Sequence, residues 1–290
     1  SENLLFSGLY MSGGCDHGIA DNAYLDGTQF PNGNIKSTNN IVFEDCTFVN
    51  QGGFRTNSAS GGATTFAQDG TSIVPTSARI RRCHFESSLR GIELYDESDS
   101  GGGVFTEIEI TDCSFRNMAS FGIGMAGSTN GHYGTIVNFK FRNDQSFNYH
   151  GTNFGGAGQV QFQNYECYGL QLNGGRGWRI VNSDISGRMS AGISAGNDNS
   201  FCDDFIFDNV FLHDISDGAD TATGLGFRLG IASDTAANAS AVRRARITNL
   251  KMKNINACGL YIIGTRDCEI DGVNMAEAGL YSTASSEDLS

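Results

Sequence analysis

A six-residue template recurs ten times along this chain: apolar, any residue, Asn/Asp/Gly, variable, any residue, apolar. The instances begin at Phe6, Phe43, Ile80, Ile110, Ile136, Phe162, Ile180, Phe207, Ile247 and Ile270. Their third positions are Gly8, Asp45, Arg82, Asp112, Asn138, Asn164, Asn182, Asn209, Asn249 and Gly272. All but Arg82 are residue types that enter the left-handed backbone region at low cost. Their sixth positions, Met11, Phe48, Phe85, Phe115, Phe141, Cys167, Ile185, Leu212, Met252 and Met275, are all apolar.

Such a template reads as two short strands meeting at a sharp bend made by one left-handed residue. The apolar residues on either side point inward and stack on their equivalents in neighbouring coils. Starts lie 18 to 40 residues apart, so loops of varying length leave a constant core. With 39 Gly and only 2 Pro, the chain can turn often. Coils stacked at strand spacing, roughly 4.8 Å, predict a rod about 45–50 Å long.

A second motif, Gly-apolar-any-apolar, follows most templates. It reads Gly91-Ile92-Glu93-Leu94, Gly122-Ile123-Gly124-Met125, Gly169-Leu170-Gln171-Leu172, Gly192-Ile193-Ser194-Ala195, Gly226-Phe227-Arg228-Leu229 and Gly259-Leu260-Tyr261-Ile262. Weaker copies are Gly18-Ile19, Gly53-Phe54, Asn148-Tyr149 and Gly279-Leu280. This is a third strand per coil, and the residue between its two apolar positions must face outward. The two motifs together resemble the pectin-lyase-like β-helix superfamily over nearly the whole chain. The expected fold is all-β: a right-handed parallel β-helix of about ten coils, three short strands each, as one domain over residues 1–290. A left-handed hexapeptide helix fits less well, given the variable coil length and the Asn bend.

The net charge of −13 disfavours nucleic acid, whose phosphates need clustered Lys and Arg. It also argues mildly against a polyanionic substrate. No run of eighteen apolar residues can span a membrane. No signal peptide is visible at the start. The chain opens at Ser1 already inside a repeat, which reads as a piece of a longer polypeptide.

Of the 8 Cys, Cys46, Cys83 and Cys113 hold the fourth template position in successive coils. They predict an internal ladder of free thiols. Stacked β-carbons about 4.8 Å apart exceed the roughly 3.8 Å of a relaxed disulfide. Cys167 is expected in an apolar template slot, and Cys15, beside Asp16 and His17, stays open. No Cys-x-x-Cys spacing suggests zinc.

In the superfamily that the motifs resemble, substrate sites lie along the third-strand sheet and its flanking loops. Here the outward positions read Ala20, Arg55, Glu93, Gly124, His150, Gln171, Ser194, Arg228, Tyr261 and Tyr281. Two positions later come Asn57, Tyr95, Ala126, Thr152 and Asn173. Carboxylate, imidazole, amide, guanidinium and phenol groups in one strip suit the hydroxyls and ring faces of sugars. An ordinary solvated face is the competing reading.

Three readings follow. Glycoside hydrolysis needs two carboxyls, and Glu93 with Asp96 or Asp99 offers them, with Tyr95 as a stacking surface. Elimination from a uronate needs a base and a cation; His150, Arg228 and Tyr149 or Tyr261 are the set for that. A non-catalytic adhesin needs neither. Arg55, Gln171 and Asn173 complete the candidate substrate-binding residues. Fragments of a polygalacturonase signature, Asp203-Asp204 and Gly131-His132-Tyr133-Gly134, stand in the wrong order, and the Asp-Pro-His motif of alginate epimerases is missing. The acidic loop His213-Asp214 through Asp217 and Asp220 offers oxygen ligands for calcium, without an EF-hand pattern; a solvated loop is the simpler reading, and no cofactor is expected.

The chain further resembles the β-helix of phage tailspikes and capsule depolymerases. That resemblance implies a polysaccharide-degrading glycoside hydrolase, a homotrimer, and an extracellular or virion-surface location. A polysaccharide lyase and a glycan-binding adhesin remain the alternatives.

Overall fold

The computed structural model describes residues 2–12, 19–21, 39–49, 64–68, 76–88, 90–96, 105–118, 120–126, 133–144, 167–196, 202–216, 224–230, 242–282 and 287–289. All regular structure among them is strand, and every strand pairing is parallel. Twenty strands are linked in one sheet system and nine in a second. Successive coils stack in register, so the all-β parallel β-helix expected from the repeat is the architecture observed. Among the described residues no helix is long and apolar enough to cross a membrane.

The template starts form one ladder. Phe6, Phe43, Ile80, Ile110, Ile136, Ile180, Phe207, Ile247 and Ile270 pair in that order. The instance beginning at Phe162 is not a rung, which corrects the sequence reading. Ile136 pairs directly with Ile180, and Phe141 directly with Ile185. Phe162 itself lies outside the described residues. Cys167 instead precedes the third-sheet strand Tyr168–Asn173, its thiol donating to the Met118 carbonyl at 3.3 Å. A pattern this short arises by chance in a Gly- and Asn-rich stretch of sequence, and Ile136 and Ile180 are farther apart in sequence than any other two successive rungs.

The bends follow the template closely. Gly8, Asp45, Asp112, Asn138, Asn182, Asn209, Asn249 and Gly272 all have positive φ, between 51° and 67°. Arg82 does too, at 51°, although an arginine gains nothing there intrinsically. Each bend keeps the ladder continuous round the corner: Asp45 N donates to Arg81 O at 3.1 Å, and Arg82 N to Thr111 O at 3.0 Å. Two further columns of left-handed residues were not read from the sequence. One holds Ser87, Asn117, Asp214, Asn254 and Glu277; the other holds Gly177, Asp204, Arg244 and Asp267.

The core is a stack of like on like. Phe48, Phe85 and Phe115 are buried, with ring centroids 5.0 and 4.6 Å apart and planes within 8°. Burying one such ring stabilises the fold by about 1.5–3 kcal/mol. Cys46, Cys83 and Cys113 are free, buried, and in line. Each thiol donates to the carbonyl two residues back, at 3.3 Å. Burial pushes the Cys46 thiol up from its ordinary pKa, and contact with Cys113 together with burial raises that of Cys83. The ladder of thiols is as expected.

The glycine of the third-strand motif has a steric cause. A β-carbon on Gly91 would lie 2.3 Å from Gly122 O; one on Gly169, 2.6 Å from Gly192 O; one on Gly226, 2.4 Å from Gly259 O. Each glycine admits the carbonyl of the next, so the coil closes tightly at this corner.

Candidate functional site

The nine-stranded sheet, built from the third strand of each coil and called the third sheet, aligns one residue per rung. Ala20, Thr65, Glu93, Gly124, Gln171, Ser194, Arg228, Tyr261 and Tyr281 are register partners in succession. Most of the expected column is therefore present. Two members are corrected. The rung assigned to Arg55 is the strand Thr64–Gln68, which puts Thr65 between Ala20 and Glu93. His150 has no rung, because Gly124 pairs directly with Gln171. Both Arg55 and His150 lie outside the described residues. In each case the assignment rested on a single Gly- or Asn-led fragment of sequence.

The neighbouring column runs Ala67, Tyr95, Ala126 and Asn173. Tyr95 and Asn173 are thus two rungs apart, about 10 Å at strand spacing. Glu93 sits between Ile92 and Leu94, both buried in the core. Asp96 closes the same strand and is still paired, with Gln68. Residues an odd number apart on a paired strand have opposite parity, so Glu93 and Asp96 occupy alternate positions. Asp99 lies outside the described residues. Arg228 is four rungs from Glu93, about 19 Å along the axis.

One column of this outer face escaped the sequence reading. Arg90, Phe121, Tyr168, Ala191, Leu225 and Cys258 are aligned just before the motif glycines. Phe121, Tyr168 and Ala191 form a buried apolar cluster separate from the main core. The Phe121 ring lies over Gly124, where a β-carbon would meet it at 2.5 Å. The Arg90 guanidinium stands 5.2 Å from its centre, within cation–π range. The signal was in plain view: the residue before each glycine is aromatic or aliphatic in most copies.

Gln171, Asn173, Arg228 and Tyr261 are half-buried, and Ser194 is buried. Ser194, the small residue of the column, stands between Gln171 and Arg228. Arg228 Nε donates to Gly230 O at 3.3 Å. Among the described residues it has no carboxylate partner. Four arginines of the other faces are paired: Arg81 with Glu109 at 3.0 Å, Arg82 with Asp45 at 2.8 Å, Arg116 with Asp144 at 2.6 Å and Arg244 with Asp204 at 2.7 Å.

The remaining acidic candidates are engaged in such pairs. Asp203 and Asp204 both meet Arg176 and Arg244. The Arg244 guanidinium holds the Asp204 carboxyl below the usual carboxylate range. The His213 ring lies between Asp184, at 3.0 Å, and Asp214, at 2.8 Å. His213 and then Asn254 hold the Asp214 carboxyl low. Asp217 and Asp220 are outside the described residues. Among the described residues no group of three or more His, Cys, Asp and Glu is arranged to hold a metal ion.

No protein-family model matches this chain. No curated protein matches it. Among solved structures, it is similar to an alginate lyase from Paenibacillus sp. str. FPU-7 at 12% identity. That likeness covers 94% of this chain and 98% of the other, with a TM-score of 0.34.

Proposed function

We propose that the outer face of the third sheet processes a polysaccharide, and that it does so by elimination from a uronic-acid sugar. Arg228 carries this reading. It is a half-buried guanidinium without a carboxylate among the described residues, in register beside Tyr261. Withdrawing a cation from water without a counter-ion is costly. A substrate carboxylate supplies a partner that the described residues do not, and its neutralisation acidifies the adjacent ring proton. Tyr261, one rung away, is the proposed base. Gln171, two rungs to the other side, and Asn173 offer amide donors and acceptors to neighbouring sugar hydroxyls. The net charge of −13 opposes capture of a polyanion at a distance, so the reading requires a local cation such as this one.

Hydrolysis centred on Glu93 is the second reading. Its support is that Glu93 shares the ladder of Gln171 and Arg228. Against it, Asp96 stands at a position of opposite parity. A glycan-binding adhesin without catalysis is the third.

A panel of polysaccharides separates these. Elimination yields a new ultraviolet absorbance from unsaturated uronate, abolished in Arg228→Ala and strongly reduced in Tyr261→Phe. Reducing ends without that absorbance, lost in Glu93→Gln, move the assignment to hydrolysis. Binding without cleavage of any glycan supports the adhesin and removes both enzymes.

A further inference from the structure

On the second-strand sheet, away from the third, His84 and Ser114 are register partners on adjacent rungs. His84 Nδ1 and Ser114 Oγ are 2.8 Å apart. Two residues along the same strand, Glu86 places Oε2 3.4 Å from His84 Nε2. A carboxylate oxygen only accepts, so in the neutral ring Nε2 carries the proton. Nδ1 is then a lone pair, and the Ser114 hydroxyl donates to it. A serine, a histidine whose tautomer is set by an acid, and that acid are thus in line. Lys140 occupies the position beside Ser114 on the following rung, and Arg116 the position beside Glu86. All three members of the line are half-buried, and His84 and Glu86 keep 37% and 34% of their side-chain surface exposed. The line is therefore accessible from solvent. It is built on strands rather than loops, so its spacing is held by the stacked backbone.

We propose that Ser114, His84 and Glu86 form a second site, a serine nucleophile that cleaves carboxylic esters. Ser114 Oγ bonds to the ester carbonyl carbon while its proton passes to His84 Nδ1. The carbon–oxygen bond to the alcohol breaks, and the alcohol leaves with that proton. Water then adds to the acyl carbon, its proton passing to Nδ1. The bond to Ser114 breaks, the carboxylic acid departs, and the proton returns to Oγ. Charge on the carbonyl oxygen develops one rung from the Lys140 ammonium. Ser114 and His84 are the catalytic residues. Glu86 is a positioning residue that keeps Nδ1 free of a proton.

The site is tested on the whole chain with a fluorophosphonate probe and with p-nitrophenyl acetate. The expected result is one adduct per chain, located at Ser114 by peptide mass. The adduct is absent in Ser114→Ala, and its formation is slowed about 100-fold or more in His84→Asn. Glu86→Gln can donate to Nε2 and so admits the wrong tautomer. It is expected to slow labelling about tenfold or more and to change its pH profile, with an unchanged thermal midpoint. Labelling absent from Ser114 in the native chain overturns the proposal. So does p-nitrophenyl acetate turnover that is equal in the native chain and Ser114→Ala. Neither readout involves a polysaccharide, so failure here leaves the third-sheet assignment standing, and the reverse.

Discussion

Arg82 makes the left-handed bend of its coil while its guanidinium clasps Asp45 in the same position one rung away. Arg82 Nε meets Asp45 Oδ1 at 2.8 Å, Nη2 meets Oδ2 at 3.0 Å, and Nη2 also meets Glu44 Oε1 at 2.7 Å. Elsewhere along the column the side chains are shorter but do the same: Asn138 donates to Asp112 at 2.7 Å and Asn209 to Asn182 at 2.8 Å. The ladder of bends is thus also a ladder of side-chain contacts on the outside of the corner.

Arg82→Asn should keep the fold, since Asn tolerates φ near 51° and is short enough to bond its neighbours. Arg82→Val puts a β-branched residue there and should cost about 1–3 kcal/mol. Urea midpoints of the two variants check this. An equal loss in both would show that the pair with Asp45, rather than the backbone, sets the residue.

Gly169→Ala should lose about 1–3 kcal/mol, because its β-carbon would meet Gly192 O at 2.6 Å and Ile185 Cγ2 at 2.7 Å. At Gly279 nothing lies within 4 Å of the same atom. Gly279→Ala should stay within about 0.5 kcal/mol. Thermal unfolding of the pair measures the corner contact directly.

Acid should weaken the stacking in a defined direction. Arg116 and Arg142 hold the Asp144 carboxyl below its ordinary 3.8, and Thr248 and Asn249 do so for Asp208. A carboxyl whose folded pKa is depressed adds stability above its unfolded value. That stability is lost as pH falls through the folded value. The loss should therefore set in below about pH 4 and be shallower in Asp208→Asn. A midpoint that rises on acidification would contradict the sign.

The thiols of the inner ladder should be silent. Cys46, Cys83, Cys113 and Cys202 are buried, and burial pushes the Cys202 thiol up to about 12. Both effects suppress the thiolate that reacts. Native protein treated with a disulfide reagent should react first at the half-buried Cys167 and Cys258. The four buried positions, and Cys268, which is buried too, should follow only as urea unfolds the chain. Early labelling of Cys83 would show that the core opens locally.

The fold was largely legible because its signal is repeated. Each template carries little information, but the bend residue and the stacked Phe48, Phe85 and Phe115 recur often enough to define inside and outside. The outward column from Glu93 through Arg228 to Tyr281 followed from the two apolar residues flanking each member. The rungs read at Arg55 and His150 rested on single fragments without a repeat to check them: the register places Thr65 between Ala20 and Glu93 and pairs Gly124 directly with Gln171. Arg82 looked like an exception because its reason for bending lies in another coil.

What the sequence determined alone is the period: apolar residues at fixed offsets around a bend allow only stacked strands to bury them all. Which segments serve as rungs was decided by the tertiary structure, because lengthening the connection between two rungs adds little entropic cost. Contacts between coils are set by that choice and by nothing local. Only in the folded chain does Ile136 meet Ile180, Arg228 stand without a carboxylate among the described residues, and Ser114 come to face His84.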